Sequence, residues 1–445
     1  IIKNVFKLLE IISKMWREIT KCRVCGSSDL DEVLSLGMQV VKDFLDSPND
    51  SSKRGPLDLV LCNKCGLLQL KHTFSKEYLY THYWYRSSTS QTMVKELSNI
   101  VESASRCVNL NTGDTVIDIG ANDGTLLRQY KDTSLNRIGY EPSNLWQYGV
   151  TSGAVIINDY FSSKSFLEKF PGRKAKIVTS IAMFYDLDDP NKFTSDVKSV
   201  LHPEGVWVIQ MNYLGLMVKN LGYDNICHEH VGYYGLTSMQ YLLERHNLQV
   251  FDIELNNVNG GSFRLYVKHA EDDTKKINIQ AIEKIRKKET QMHLSEKHTY
   301  SVFAEAINKQ KQELNQLLDE ISENGKKIII YGASTRGLVI LEYCGIDSNR
   351  IRYATDKNSD KWGKYLSGTG IKIISLEDYR KMQPDYLLVL PYQYANEIAY
   401  QEKTFMDKGG KLIIPLPVPK ILDKNYFFNA NKNNRNKFLS GYDRL

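Results

Sequence analysis

The sequence predicts an α/β chain in three parts: a small cysteine module, a central doubly wound domain, and a second doubly wound domain towards the C-terminal end. Three observations predict it. Two CxxC pairs, Cys22/Cys25 and Cys62/Cys65, stand near the start of the chain. An apolar strand then runs into a glycine-rich loop at Gly120–Gly124, and further strands alternate with helical patterns. A second strand, glycine turn and helix begin at Lys327. At ~100–200 residues per domain, the 445 residues hold two to four domains.

Composition narrows the class. The chain is 42% hydrophobic and 25% charged, with 11 prolines, so pervasive disorder and a collagen repeat are excluded. A net charge of +6 without a run of like charges fits phosphorylated small substrates and does not suggest nucleic acid. No stretch of about 18 uncharged apolar residues predicts a membrane helix. Residues 1–14 have helical apolar spacing broken by Lys3, Lys7 and Glu10, which is not a secretory signal; Met15 offers a native start, and the prefix is given no function. Seven cysteines, an odd number, suit a reducing cytosol and a cytoplasmic protein.

Each cysteine pair sits in a knuckle, Cys22-Arg-Val-Cys25-Gly26 and Cys62-Asn-Lys-Cys65-Gly66. Two intervening residues aim both thiolates at one ion. The glycine that follows suits a turn of positive φ, and nearby N–H groups can donate to sulfur. Four thiolates make a closed tetrahedral Zn²⁺ site of structural type, with no position left for catalytic water. The segment between the knuckles is expected to be a small strand-rich insert.

The central domain begins with Thr115-Val-Ile-Asp-Ile-Gly-Ala-Asn-Asp-Gly-Thr125. Strand Val116–Ile119 ends in Gly120, Asn122, Asp123 and Gly124, and a helix is expected from about Thr125. Glycine lets a ligand approach the backbone at the carboxyl end of a central strand. A second strand, Asn136–Tyr140, ends in Glu141, placed to accept ribose hydroxyls. A dinucleotide site wants GxGxxG. The acidic loop with Asp118 suits the sulfonium and ammonium of S-adenosylmethionine instead, and resembles the class I methyltransferase motif. Ala154–Ile157 leads to Asp159, placed near the adenine amine. Lys176–Ser180 leads to Met183 and Tyr185, the pocket floor, and Val206–Met211 follows.

Next comes Cys227-His228-Glu229-His230, then Tyr233, Tyr234 and a helix from about Thr237. Histidine titrates near neutrality and is a natural general base, and an adjacent carboxylate can orient it. The spacing is not that of a helical HExxH zinc site. Upstream, Tyr78 to Ser87 is dense in aromatics, including Tyr80, His82, Tyr83 and Tyr85. Such a stripe packs in a core or lines a sugar pocket. Gly260, Gly261, Ser262 and Arg264 precede a strand at Leu265–Lys268 and read either as an anion cradle or as a hairpin turn.

Together these segments resemble the sugar C-methyltransferase family, whose members methylate nucleotide-linked keto-deoxysugars at a ring carbon. The resemblance runs from about Lys21 through the C-terminal block. It implies that His230 removes the proton next to a ketone and that Glu229 is its partner. It implies that Tyr83, Tyr85 and Tyr233 bind the sugar or steady the enolate, and that His228 and Tyr185 face the substrate. Some members carry tyrosine where Cys227 stands and histidine where Tyr185 stands, so no particular sugar is transferred.

Between about Asp273 and Ser322 the chain is polar, with apolar stripes Ile282, Ile285, Phe303, Ile307, Leu314, Leu317 and Ile321 that predict long helices buttressing the domains. Strand Lys327–Tyr331 then enters a turn from Gly332 through Ser334 and Arg336 to Gly337, which opens a helix and presents N–H groups to a phosphate. Strand Ile351–Ala354 ends in Asp356, Lys361 follows, and strands Tyr386–Leu390 and Lys411–Pro415 complete the pattern. The full GxGxxG is absent, which disfavours a redox role. The resemblance implies that this domain holds the substrate's nucleotide, with Arg336 in place of the usual lysine.

The expected chain is therefore α/β: a small zinc-binding module, a central Rossmann-like S-adenosylmethionine methyltransferase domain and a C-terminal second doubly wound α/β domain. Expected boundaries are 1–20 (extension), 21–80 (zinc-binding domain), 81–270 (methyltransferase domain), 271–325 (connecting helices) and 326–445 (nucleotide-sugar-binding domain), with a surface tail from Asn425. The expected activity is C-methylation with S-adenosylmethionine and structural Zn²⁺, on a sugar linked to thymidine diphosphate or another nucleoside diphosphate. No nucleic-acid or membrane partner is expected, and the state is monomer or weak homo-oligomer. O-methylation of a small metabolite and an RNA-binding scaffold are the alternatives.

Overall fold

Thr115–Ile119 (β1) is buried at every residue, as a strand covered on both faces must be. The computed structural model describes residues 15–41, 44–48, 50, 52–76, 79 and 83–426. The expectations for residues 1–14, for Tyr78, Tyr80 and His82, and for the tail beyond Tyr426 lie outside the described residues. The chain divides into two units. The first takes in the described residues up to Glu32, Val60–Gly215 and Glu229–Glu296; the second takes in Val33–Leu59, Leu216–His228 and the described residues from Lys297 onward.

In the first unit, β1 is joined by β2 (Asn136–Tyr140), β3 (Val155–Ile157), β4 (Ala175–Ile181), β5 (Leu201–Asn212), β6 (Leu248–Asn256) and β7 (Ser262–His269). The order is β6-β7-β5-β4-β1-β2-β3. β1 to β5 run parallel, and β7 is antiparallel to both β5 and β6. The chain winds outward through β2 and β3, then returns to the other side of β1 as β4. The carboxyl end of β1 is thus the point where the winding direction reverses, where open α/β sheets bind ligands. Strands expected at 154–157, 176–180, 206–211 and 265–268 are all present within a few residues. The hairpin partner β6 was not expected, nor was helix Gln91–Arg106. That helix is capped by Ser90 and buries Met93, Leu97, Ile100, Val101 and Ala104 on one stripe. The stripe packs with Val116, Leu127, Ile177, Val206 and Val208 in one core, each fully buried aliphatic stabilising by about 1.5–3 kcal/mol. The expected helix at Thr125 is only Thr125–Arg128.

The zinc-module segment shows the expected strands between the knuckles, Leu30–Val40 and Arg54–Cys62. Trp16–Glu18, expected to lie in an extension, pairs antiparallel with His72–Phe74.

In the second unit, β8 (Ile328–Tyr331), β9 (Tyr353–Thr355), β10 (Tyr365–Leu366), β11 (Ile371–Ile374), β12 (Tyr386–Val389), β13 (Lys411–Ile414) and β14 (Lys420–Leu422) form a sheet with Phe44–Leu45. The order is β14-β13-β12-β8-β9-β11-β10 and then Phe44–Leu45. β8 lies parallel between β9 and β12, so winding again reverses at its carboxyl end. The polar stretch before it forms helices Ile279–Gln291 and Lys297–Glu323, one in each unit. The stripe of the second uses Leu318, not Leu317, because Phe303, Ile307, Leu314, Leu318 and Ile321 keep the 3.6-residue period.

Candidate functional site

The four cysteines close first. Cys22 and Cys65 sulfurs lie 3.6 Å apart, Cys25 and Cys62 sulfurs 3.4 Å apart, and all four lie within 4.8 Å of one another. Zinc–sulfur bonds of ~2.3 Å imply tetrahedral edges of about 3.8 Å, close to these spacings. Both knuckles fold alike: Gly26 and Gly66 have φ of +72° and +71°, and their N–H groups reach the carbonyls of Cys22 and Cys62 at 2.9 Å. The backbone N–H groups of Val24 and Cys25 favour the Cys22 thiolate, and those of Lys64 and Cys65 favour the Cys62 thiolate. Donation from the Cys65 thiol, above all, holds Cys22 down at about 5. The buried amide nitrogen of Gln69 has no hydrogen-bond partner and helps to lower the Cys22 thiol. A thiolate held by a cation satisfies that donor, so the residues fit zinc.

At the carboxyl end of β1, Gly120 has φ +77° and its N–H meets the Tyr140 carbonyl at 2.9 Å. A Cβ there would stand 3.1 Å from the Met183 side chain, so only glycine leaves the loop open beside the pocket floor. Glu141 lies opposite. One carboxylate oxygen accepts from Asn122 N (2.8 Å) and the other from Ser143 N (2.9 Å). Each oxygen keeps a lone pair for a ribose hydroxyl. Asp159 is exposed beyond β3.

The loop acids differ from expectation. Asp118 is 3% exposed in mid-strand and accepts the Thr179 hydroxyl at 2.6 Å. Burial pushes its carboxyl up to about 7. Asp123 is also buried and accepts Thr125 Oγ1 (2.6 Å) and Ser88 N (3.0 Å). Both acids are buried and brace the loop from inside, Asp118 from mid-strand on Thr179 and Asp123 on Thr125, with Arg128 3.6 Å from Asp123. Asn122, at φ +52°, accepts Ser87 N at 3.0 Å and donates to the Tyr85 carbonyl at 3.0 Å. Tyr83 N donates to Asn144 Oδ1 at 2.9 Å. The Tyr83–Ser90 segment is thereby laid over the glycine loop. Ser87, Ser88, Asn144 and Thr179 were missed by sequence reasoning. Thr179, a polar residue inside an apolar strand, was the one visible signal.

The base segment follows. His230 is buried, its ring centroid 4.1 Å from that of Tyr185. Its ring lies with a nitrogen within 4.8 Å of a Glu229 carboxylate oxygen. Val231 N donates to the Tyr185 carbonyl at 2.9 Å, and Gly232–Tyr233 pair with Leu68–Gln69. Burial holds the Tyr83 phenol well above its usual range, and the charges of Glu229, Tyr185, Asp186 and Glu141 push it the same way. Tyr83 therefore remains an O–H donor in the field of Glu229, Asp186 and Glu141. Tyr85 is exposed, and Tyr233 is buried.

His228 belongs to the second unit; its ring nitrogen meets the Gly55 carbonyl at 3.1 Å. The Asn259–Arg264 stretch is the hairpin turn from β6 into β7. Gly261 N is spent on the Val258 carbonyl (3.0 Å), and the Ser262 hydroxyl on the same carbonyl (2.9 Å). Gly260 takes φ +91° in that turn. Arg264 is 1% exposed and bonded to Glu96 (2.8 Å), Gln210 (2.8 Å) and Asn99 (3.0 Å). β7 is buried on both faces and these partners hold the guanidinium inside, so the anion-cradle reading gives way to the hairpin.

In the second unit the loop after β8 repeats the device seen after β1. Gly332 N meets the Thr355 carbonyl (2.8 Å), and Asp356 accepts Ala333 N (2.8 Å) and Asn358 N (2.8 Å). Lys361 closes the turn on the Ala333 carbonyl (2.6 Å) and Asp356 (3.2 Å). Ser334 caps helix Thr335–Cys344 through Gly337 N at 3.1 Å. Arg336 is anchored on Asp224 at 2.6 Å, which also accepts the Tyr392 hydroxyl at 2.9 Å. Asp224 is 112 positions away in the chain, which no local signal could reveal.

Three families match the chain in series: a zinc binding domain at residues 22–80, a methyltransferase domain at 91–253 and a C-methyltransferase C-terminal domain at 257–417. The chain is 30% identical over 412 residues to C-methyltransferase NovU of Streptomyces niveus, covering 91% of this chain and 97% of that protein. Solved structures give looser similarity. A methyltransferase from Clostridium acetobutylicum is 14% identical over 39% of this chain and 91% of its own, with TM-score 0.31. The plantazolicin methyltransferase BpumL with SAH is 12% identical over 39% of this chain and 82% of its own, with TM-score 0.32. No helix among the described residues is long and apolar enough to cross a membrane. The chain belongs to the C-methyltransferase family that includes NovU, as an S-adenosylmethionine-dependent enzyme with a zinc-binding domain.

Proposed function

We propose that the protein methylates a ring carbon of a nucleotide-activated keto-deoxysugar. The observation that carries this reading is the buried His230 ring, 4.1 Å from Tyr185 with the Glu229 carboxylate beside it, in the unit whose Tyr83–Ser87 segment is hydrogen-bonded to Asn122 of the glycine loop and to Asn144. An acid–base group and an oxyanion donor beside the donor loop are what alkylation next to a ketone needs. The cofactor, when bound, supplies an electrophilic methyl. His230 takes the proton from the carbon beside the ketone, and its electron pair moves into the enolate. Glu229 steadies the imidazolium, Tyr83 donates to the enolate oxygen, and Tyr85, Tyr185 and Tyr233 hold the ring. Glu141 takes the cofactor ribose, Asp159 its adenine amine, and Asp118, Gly120, Asn122, Asp123, Gly124 and Met183 shape its pocket. The nucleotide is assigned to the loop after β8, where Gly332 shapes the turn, Ser334 and Gly337 cap the helix that follows, Asp224 holds Arg336 at the start of that helix, and Asp356 and Lys361 fix the turn.

The test is wash-in of deuterium from solvent into a thymidine-diphosphate-linked 4-keto-6-deoxysugar. His230→Ala should slow exchange and methylation by ~10²–10⁴-fold, with affinity for S-adenosylhomocysteine unchanged. Exchange at the parent rate would remove His230 as base. Methylation without any C–H exchange would point to a hydroxyl acceptor.

A further inference from the structure

The first zinc knuckle touches both walls of the base segment. Arg23, between the zinc cysteines Cys22 and Cys25, is 8% exposed and carries an unusual number of bonds for a knuckle residue. Its guanidinium donates to the Leu70 carbonyl at 2.6 Å and the Thr73 hydroxyl at 2.7 Å, and pairs with Asp188 at 3.3 Å. Asp188 follows the Met183–Asp186 floor and also accepts Thr73 Oγ1 at 2.8 Å. Asn191 donates back to the Arg23 and Val24 carbonyls at 2.8 and 3.0 Å. On the other side, Gln69 is 0% exposed, and its carbonyl oxygen accepts both Arg23 N (3.1 Å) and Arg23 NH1 (3.3 Å). Its backbone pairs with Gly232, and Leu70 N donates to the Val231 carbonyl at 3.0 Å. Val231 N closes the circuit on the Tyr185 carbonyl.

We propose that Gln69 is a positioning residue: it joins the first zinc knuckle to strand Gly232–Tyr233 and so holds His230 against Tyr185. The zinc module then sets the geometry of the reaction as well as folding its own segment. Strand Gly232–Tyr233 is only two residues long and lies at the edge of its sheet, so few ladder bonds hold its register. The buried Gln69 amide oxygen is bonded to Arg23, which stands between two zinc cysteines, while the Gln69 backbone pairs with Gly232, so knuckle and strand share one buried residue. Such outer-shell partners of a metal site commonly contribute 10–100-fold in affinity. This inference rests on the reading of His230 as the base only for its catalytic consequence.

The test uses the full-length zinc-loaded protein and Gln69→Leu, which keeps the volume and the backbone pairing. Zinc transfer to a colorimetric chelator should become easier by ~10–100-fold. Backbone amides of Val231–Tyr233 should lose hydrogen-exchange protection while those of Ile117–Ile119 keep theirs. Slow chelation of the parent protein should give the same order of loss. Weakened zinc with Val231–Tyr233 protected as in the parent would overturn the coupling. Equal loss at Ile117–Ile119 would also overturn it, because the metal would then support the unit as a whole. An active His230→Ala variant would remove the base assignment and leave the exchange result standing.

Discussion

Glu141→Gln separates the two duties the structure gives this carboxylate. Glu141 is 7% exposed and spends one lone pair of each oxygen on Asn122 N and Ser143 N. Glutamine keeps the size and one acceptor oxygen, so one backbone donor loses its partner. An unsatisfied buried donor costs about 1–3 kcal/mol, which sets the expected loss of stability. The ligand effect is distinct. Two ribose hydroxyl bonds to a charged oxygen drop from ~1.5–3 to ~0.5–1.5 kcal/mol each. A total of about 2 kcal/mol corresponds to roughly 30-fold weaker binding. Calorimetric titration of the zinc-loaded protein with S-adenosylhomocysteine reads the affinity, and a denaturant melt reads the stability. A variant that is less stable but binds S-adenosylhomocysteine like the parent would show that Glu141 only braces the loop, and the nucleoside assignment would fall.

Two further expectations concern buried charge. Burial raises the Asp118 carboxyl from 3.8 to about 7. The unfolded chain therefore releases this proton before the folded one, and the fold loses stability as pH rises from about 4 to about 7. Asp118→Asn removes that loss: melts should show the variant gaining on the parent at pH 8 relative to pH 4, and parallel profiles would contradict the burial argument. Arg264→Met strands Glu96 and Gln210 beside an apolar side chain, and removing one member of a buried pair costs about 3–5 kcal/mol. Denaturant unfolding should show that loss. A stable Arg264→Met variant that fails only in binding thymidine diphosphate would restore the anion-cradle reading.

Local pattern made much of this protein legible. β1, its glycine loop and Glu141 are contiguous or regularly spaced, and the strand period and positive-φ glycines are properties of a few neighbouring residues. The same holds for each cysteine knuckle, whose spacing and following glycine form one tight turn, although the close sulfur pairs Cys22–Cys65 and Cys25–Cys62 are made between the knuckles. Helix Gln91–Arg106 was not foreseen because its polar face dominates the reading of its residues, although Met93, Leu97, Ile100 and Ala104 keep helical spacing. Leu317 was preferred to the buried Leu318 because either fits a stripe until the neighbouring surface chooses one.

The sequence by itself determined the class of chemistry: four thiolates for a closed metal site, a strand and glycine loop for a methyl donor, and a histidine–glutamate pair beside tyrosines. Residue type and short spacing point to these because each knuckle, the glycine loop and the histidine–glutamate pair is a local pattern, while packing joins Cys22 to Cys65 and Cys25 to Cys62 across 43 and 37 residues. Only the tertiary structure decided which charges are available. Asp118 and Asp123 turn inward onto Thr179 and Thr125, Arg264 onto Glu96, and Arg336 onto Asp224. Those pairings join residues that are distant in the chain or set by which face of an element is buried. A charge taken out of water must find its partner wherever packing brings one, and sequence distance does not reveal that place.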